Sequence, residues 1–307
     1  MHDLPFGVTL LETSSCVWPL DPCSLLWPFQ MEAPLDRHQI FDRLELAANG
    51  SDEDIDLGEA ALLFAAAEYQ DLDLERELGL FDSLAKAGSK TVSGEDTALG
   101  AANALSRFLF EDMGFSGNQR DYYDPRNSFI NDVLKRRVGI PISLSLIYME
   151  VGRRLDVPMV GIGLPSHFLM QHEKEPDLFV DAFNGGVLLS REECISKFRE
   201  LTHPDEPWRD GYLAPISKRD MLTRMLRNLK VAHLRRKDNQ RALLATTMLI
   251  CMRPDLAEER RDRGVVQSRL GQYEEAIKDL RGYLAQAPTS ADAEAVRQLV
   301  DHLRSLL

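Results

Sequence analysis

Between positions 157 and 189 the apolar residues stop recurring at helical spacing, and the chain breaks into short extended runs. Period-two patterning predicts strands over 157–164, 167–172, 178–183 and 187–189. Asn184-Gly185-Gly186 supplies positive φ for a tight hairpin between the last two. The stretch just before them predicts a helix over about 142–155, with Pro141 at its first position, where a missing N–H costs nothing. A few short strands against one helix, flanked on both sides by helical sequence, predict an α+β fold.

From 36 to 120 the apolar residues form helical stripes, one of Leu57, Ala60, Ala61, Phe64 and Ala65 and another of Leu74, Leu78 and Phe81. We read this region as an acidic helical layer whose carboxylates mostly face solvent. Ser51 followed by Asp54, with Asp52 and Glu53 between them, predicts a helix start favoured by the dipole. Residues 1–35 are read as disordered or as a mis-called N-terminal extension. They are rich in Pro, Trp and Leu and carry no Lys or Arg ahead of the apolar stretches, unlike a signal peptide. Translation is expected to begin at Met31.

The tail, 218–307, shows an internal period of 34 residues. Ala242 falls on Ala276 and Pro254 on Pro288. The copy at 257–290 places Gly264, Gly271-Gln272-Tyr273, Ala276, Leu280, Tyr283 and Pro288 where tetratricopeptide repeats put small, turn, aromatic and stop residues. The copy at 223–256 is weaker, with Lys230 in the small position, and 291–307 would be the closing helix. Two repeats are marginal alone, so the tail is expected to pack on the central region, 121–217.

A formal net charge of -13 argues against broad nucleic-acid binding and against an anionic membrane. No apolar run approaches the roughly 18 to 20 residues of a membrane span. Cys16, Cys23, Cys194 and Cys251 are scattered, with no zinc-ligand spacing, which suits a reducing cytosol. No metal or organic cofactor is implied, because His167 and His172 lack further ligands nearby. Gly161-Ile162-Gly163 reads as close packing within a strand and not as a nucleotide loop.

One constellation can carry chemistry. If the chain reverses around 173–175, His167 and Asp181 become cross-strand neighbours with Cβ atoms about 5 Å apart. A carboxylate would then orient an imidazole, which is half of a nucleophile, base and orienter triad. The other half should be a nucleophile at the start of the preceding helix, where the dipole lowers a thiol pKa. That start reads Gly139-Ile140-Pro141-Ile142-Ser143-Leu144-Ser145 and holds no cysteine.

These residues, with Asp121-Tyr122-Tyr123-Asp124-Pro125, Asn127-Ser128-Phe129-Ile130-Asn131, Pro165-Ser166-His167-Phe168 and Asp181-Ala182-Phe183-Asn184-Gly185-Gly186, resemble the bacterial SirB family over roughly 56–307. The resemblance implies a papain- or transglutaminase-like core followed by tetratricopeptide repeats. Ser166 stands where that family usually has glycine, and Ala182 where it usually has proline. The resemblance gives His167 and Asp181 the base and orienter positions. Counting back without gaps from Val157-Pro158 places the family's cysteine position at Pro141, with Ser143 reached only by a small shift.

Each residue also has a plainer use. His167 can bond Asp181 simply to hold two strands together, and Ser143 can satisfy free N–H groups in the first helical turn. The Asp124–Asn127 turn can be structural, or Tyr123, Asn127 and Asn131 can line a cleft and bind a peptide carbonyl. The basic run at 218–241 is a solvated face, or a dock for an acidic partner or for the acidic layer. Two functions compete. One is a non-catalytic interaction or regulatory protein with a degenerate transglutaminase-like cleft, binding a protein or peptide partner through cleft or tail. The alternative is an amidase, peptidase or acyltransferase using Ser143, His167 and Asp181. An inert scaffold ranks third.

Overall fold

A computed structural model describes residues 34–307. The expected start at Met31 and the extension before it lie outside the described residues. The N-terminal layer comprises α1 (Arg37–Asn49), α2 (Leu57–Glu68), α3 (Leu74–Val92) and α4 (Ala98–Ser106). Local chemistry starts each helix. Asp36 and Gln39 form a reciprocal capping box on α1, while Asp56, Asp73 and Thr97 accept backbone N–H groups at the starts of α2, α3 and α4. The helix start expected at Ser51–Asp54 is instead a turn, with the Ser51 hydroxyl donating to Asp54 at 2.7 Å. Asp52 works elsewhere, as shown below.

Two short parallel strands, β1 (Ser116–Gly117) and β2 (Val138–Gly139), bracket a capped turn at Pro125–Asn127 and α5 (Ile130–Arg136). Next comes α6 (Pro141–Arg154), with proline at its first position as its fixed φ predicts. Four antiparallel strands follow in sequential order: β3 (Met159–Ile162), β4 (Leu169–His172), β5 (Glu175–Asp181) and β6 (Val187–Leu189). All four are present, but the first three are shifted or shorter than the apolar runs. Met170 pairs with Val180 and Gln171 with Phe179, and the reversal falls at Glu173–Lys174. Gly185 and Gly186 both take positive φ before β6.

Alternation along these strands builds two cores. Phe168, Met170, Leu178 and Val180 join the main cluster with Leu144, Ile147 and Val151 of α6. Leu169 and Phe179 join Ile162, Leu164, Cys194 and Phe198 in a second cluster beneath α7 (Arg191–Leu201). Gly161 is a packing glycine, since a Cβ there would sit 2.8 Å from the Phe168 ring.

The tail is five helices: α8 (Lys218–Arg235), α9 (Asn239–Met252), α10 (Ala257–Arg269), α11 (Tyr273–Gln286) and α12 (Ala293–Arg304). Gly264 lets α10 approach α11, because a Cβ there would meet Leu280 Cγ at 2.8 Å. Lys230, the misfit in the first copy, is buried and reaches Glu259 at 2.7 Å and Asp262 at 2.6 Å, so it ties α8 to α10. The tail does pack inward. Met221, Leu222, Met225, Leu226, Leu229, Met248 and Leu249 share one cluster with Ile40, Leu44 and the α2 apolar residues. Asp52 seals the join: its carboxylate accepts the backbone N–H groups of Lys218 at 2.8 Å and Arg219 at 3.0 Å, capping α8 from the N-terminal layer. Among the described residues no helix is long and apolar enough to cross a membrane.

Candidate functional site

His167 is not within a strand. It follows Ser166, whose φ of 61° is left-handed, and its backbone N–H closes a turn onto the Leu164 carbonyl at 3.1 Å. That φ gives the reason glycine suits the position before the histidine. Asp181 ends β5, one residue past the Met170–Val180 pair, so histidine and aspartate meet from a turn and a strand end and not as direct cross-strand partners. His167 Nε2 lies 3.0 Å from Asp181 Oδ2, off the line of a directed N–H···O bond.

Asp181 is fully buried and heavily served. It accepts the backbone N–H groups of Phe183 and Asn184 and the Asn184 amide at 2.8 Å, and Lys197 of α7 stands 3.0 Å away. Burial alone would raise its carboxyl. The His167 contact, the Asn184 amide and Lys197 outweigh that and hold it down at about 2. The aspartate is thus a fixed anion, and the histidine ring beside it meets the edge of Phe183 at 6.2 Å.

In front of His167 opens a cleft of about 390 Å³ between the core and α8. Ile140, Pro141 and Ile142 supply one wall, Tyr122 and Tyr123 another, and Arg224, Asn228 and Val231 of α8 the third. Pro141, the position reached by the gapless count from Val157-Pro158, lines the cleft together with His167. Ser143 does not line the cleft. It is fully buried, its hydroxyl donates to the Asn127 carbonyl at 2.6 Å, and its oxygen accepts the Ile140 N–H at 3.1 Å. None of its hydrogen bonds goes to His167.

Of the three expected binding residues, Tyr123 lines the cleft, with the Arg235 guanidinium 3.8 Å from its ring centre. Asn127 is turned inward and fully buried, donating to the Asp121 and Tyr122 carbonyls at 2.8 and 3.2 Å. It builds the turn that presents the tyrosines. Asn131 does not line the cleft either, and its side-chain oxygen is buried without a partner.

Among the described residues no thiol lines the cleft. Cys194 of α7 is buried under the sheet, and burial, with Asp181 adding to it, pushes the thiol up to about 12. Among the described residues no group of three or more His, Cys, Asp or Glu side chains is placed to hold a metal ion. Sequence reasoning missed Lys197, for which nothing local gives a signal. It saw Asn184 only as a turn residue, and it grouped Arg224 with a solvated basic run.

A helix start and a His–Asp pair over a small antiparallel sheet, with paired helices behind them, define a transglutaminase-like core followed by tetratricopeptide repeats. Residues 76–227 match the transglutaminase-like superfamily, and 229–301 match the tetratricopeptide repeat. The chain belongs to the UPF0162 protein family. It is 36% identical to a UPF0162 protein of Xylella fastidiosa over 263 residues, covering 83% of this chain and 92% of that protein. It is 30% identical to one of Vibrio cholerae over 271 residues, covering 83% and 96%. A shorter similarity, 37% over 101 residues, links 30% of the chain to 16% of the F-box only protein 21 of Homo sapiens. No solved structure matches the chain significantly.

Proposed function

We propose that this chain is a peptide-binding protein in which a transglutaminase-like cleft without a thiol nucleophile, together with tetratricopeptide repeats, selects segments of other proteins. The start of α6 carries the reading. Pro141 and Ile142 face the cleft beside His167, and the first hydroxyl, Ser143, is buried and bonded to the Asn127 carbonyl. A hydroxyl held that way cannot pass its proton to an imidazole. The His167–Asp181–Lys197 cluster then acts as a rigid floor for the cleft. The repeats add an extended surface of the kind such arrays use for partners. Nucleic acid and membrane partners are not part of this reading, because the charge of -13 opposes both. The free thiols of Cys194 and Cys251 fit a reducing cytosol.

A second reading draws on a specific observation, the retained His167–Asp181 pair with its permanently ionised carboxylate. Here the chain is an amidase, peptidase or acyltransferase in which Ser143 leaves Asn127 and turns to His167. Incubation with a serine-directed fluorophosphonate, followed by peptide mass mapping, separates the two. The binding reading expects no adduct on Ser143. An adduct there that disappears in His167→Ala would overturn it in favour of the hydrolase.

A further inference from the structure

The cations of α8 are treated unequally. Arg227 meets Glu259 at 2.6 Å, Lys230 meets Glu259 and Asp262, and Arg236 meets Asp121 at 2.7 Å. Arg224, on the side facing the cleft, meets no carboxylate among the described residues. Its Nη2 donates to the carbonyls of Leu164 and His167 at 3.0 and 2.5 Å, and its guanidinium stacks 5.6 Å from the Phe168 ring centre. Those bonds fix its direction and leave its charge unbalanced. The Nε and Nη1 groups have no acceptor among the described residues, and neither belongs to the sealed polar atoms of the interior. Arg235, at the rim over Tyr123, also lacks a carboxylate partner there. Asp181 does not serve Arg224, since its charge is met by Lys197.

A half-buried guanidinium without a counter-ion is costly, and its proton is correspondingly less tightly held. Such a group is stable in a binding site when the ligand brings the anion. We propose that the cleft receives a carboxylate of its peptide ligand on Arg224, with the neighbouring apolar side chain packed on Pro141, Ile142 and Val231. Three features set the class. Arg224 is the one lysine or arginine among the lining residues, with Arg235 outside them at the rim, so the charge within the cleft is one that a carboxylate balances and a doubly charged phosphate would exceed. The volume of about 390 Å³ suits one or two residues and no folded domain. Tyr122, Tyr123, Ile140, Pro141, Ile142 and Phe168 also line the cleft, which favours a carboxylate with a hydrophobic neighbour over a sugar acid.

This inference rests on the peptide-binding reading, and two sources can supply the group: a free C-terminus or an Asp or Glu side chain. The test is calorimetric titration of the full chain with three probes. They are N-acetyl-leucyl-phenylalanine, its C-terminal amide, and N-acetyl-glutamyl-phenylalaninamide. The free acid is expected to bind about tenfold or more tighter than its amide, the worth of one charge-assisted hydrogen bond. If the glutamyl amide binds and the free acid does not, the source is a side chain and Arg224 keeps its role. Arg224→Gln should erase the preference for whichever acid binds, and Arg224→Lys should keep part of it, with folding of both checked by thermal melting. Equal binding of acid and amide overturns the carboxylate assignment but leaves peptide binding standing. A preference that survives Arg224→Gln overturns it as well. Failure of all three probes overturns both, whereas fluorophosphonate labelling of Ser143 would overturn only the non-catalytic reading.

Discussion

Two buried serines two residues apart in α6 make opposite contributions. Ser143 bonds both the Asn127 carbonyl and the Ile140 N–H, whereas the Ser145 hydroxyl is buried without a partner. Ser143→Ala leaves two backbone groups unpaired in a sealed site and should cost about 1–3 kcal/mol. Ser145→Ala removes an unsatisfied oxygen and should be neutral or slightly stabilising. Urea unfolding of both variants checks the pair, and a larger loss at Ser145 would contradict the hydrogen-bond assignment. Much of the site at this scale was legible. Histidine, aspartate and the absent cysteine are visible in the order of the chain, and Pro141 announces a helix start through its fixed φ. The place of His167 was not legible, because Ser166 adopts a left-handed φ that its side chain does not advertise. The inward turn of Asn127 is equally silent, since a turn asparagine reads alike whether it faces ligand or backbone.

Among the elements, α8 and α10 carry the sharpest expectations. His233, near the end of α8, is buried beside Phe129, and burial pulls its ring down to about 4 from an ordinary 6.5. A base with a depressed folded pKa contributes full stability above about 6.5. It loses that contribution as pH falls toward 4, because the unfolded chain takes up the proton first. Stability by urea midpoint should drop by about 2 kcal/mol between pH 7.5 and 4.5 on this account. His233→Gln should flatten that window while leaving the drop below pH 4, where Asp181 titrates, in place. On α10, Gly264→Ala would gain up to about 1 kcal/mol in helix propensity. Its Cβ would sit 2.8 Å from Leu280 Cγ and 3.2 Å from the Ala276 carbonyl, with little room to yield. The clash should win, leaving the variant about 1 kcal/mol less stable by thermal melting, and Gly264→Leu worse. The repeat was readable because a small residue against a helix leaves a spacing signature. The capping of α8 was not, because Asp52 lies 166 residues before Lys218 and looks like any surface acid.

For the whole molecule, the layer, the core and the first two tail helices share one hydrophobic cluster running from Ile40 to Met252, while α10–α12 build their own around Leu280 and Tyr283. The superfamily match at 76–227 begins after α2 and ends within α8. A fragment cut to those limits would bare the partners of Leu62, Leu63, Met248 and Leu249, so it should aggregate or fail to melt cooperatively where 34–307 gives one sharp transition. Calorimetric scans of both check this, and a cooperative fragment would show that the core stands alone. The Asp52 cap has a practical corollary. The helix that carries Arg224 and Arg235 takes its first turn from a residue that touches neither the cleft nor anything bound in it. In a random-mutagenesis screen scored by peptide capture, losses at Asp52 would surface among the hits and be mistaken for contacts. Anyone transplanting this cleft into another scaffold would need to carry the acidic layer with it.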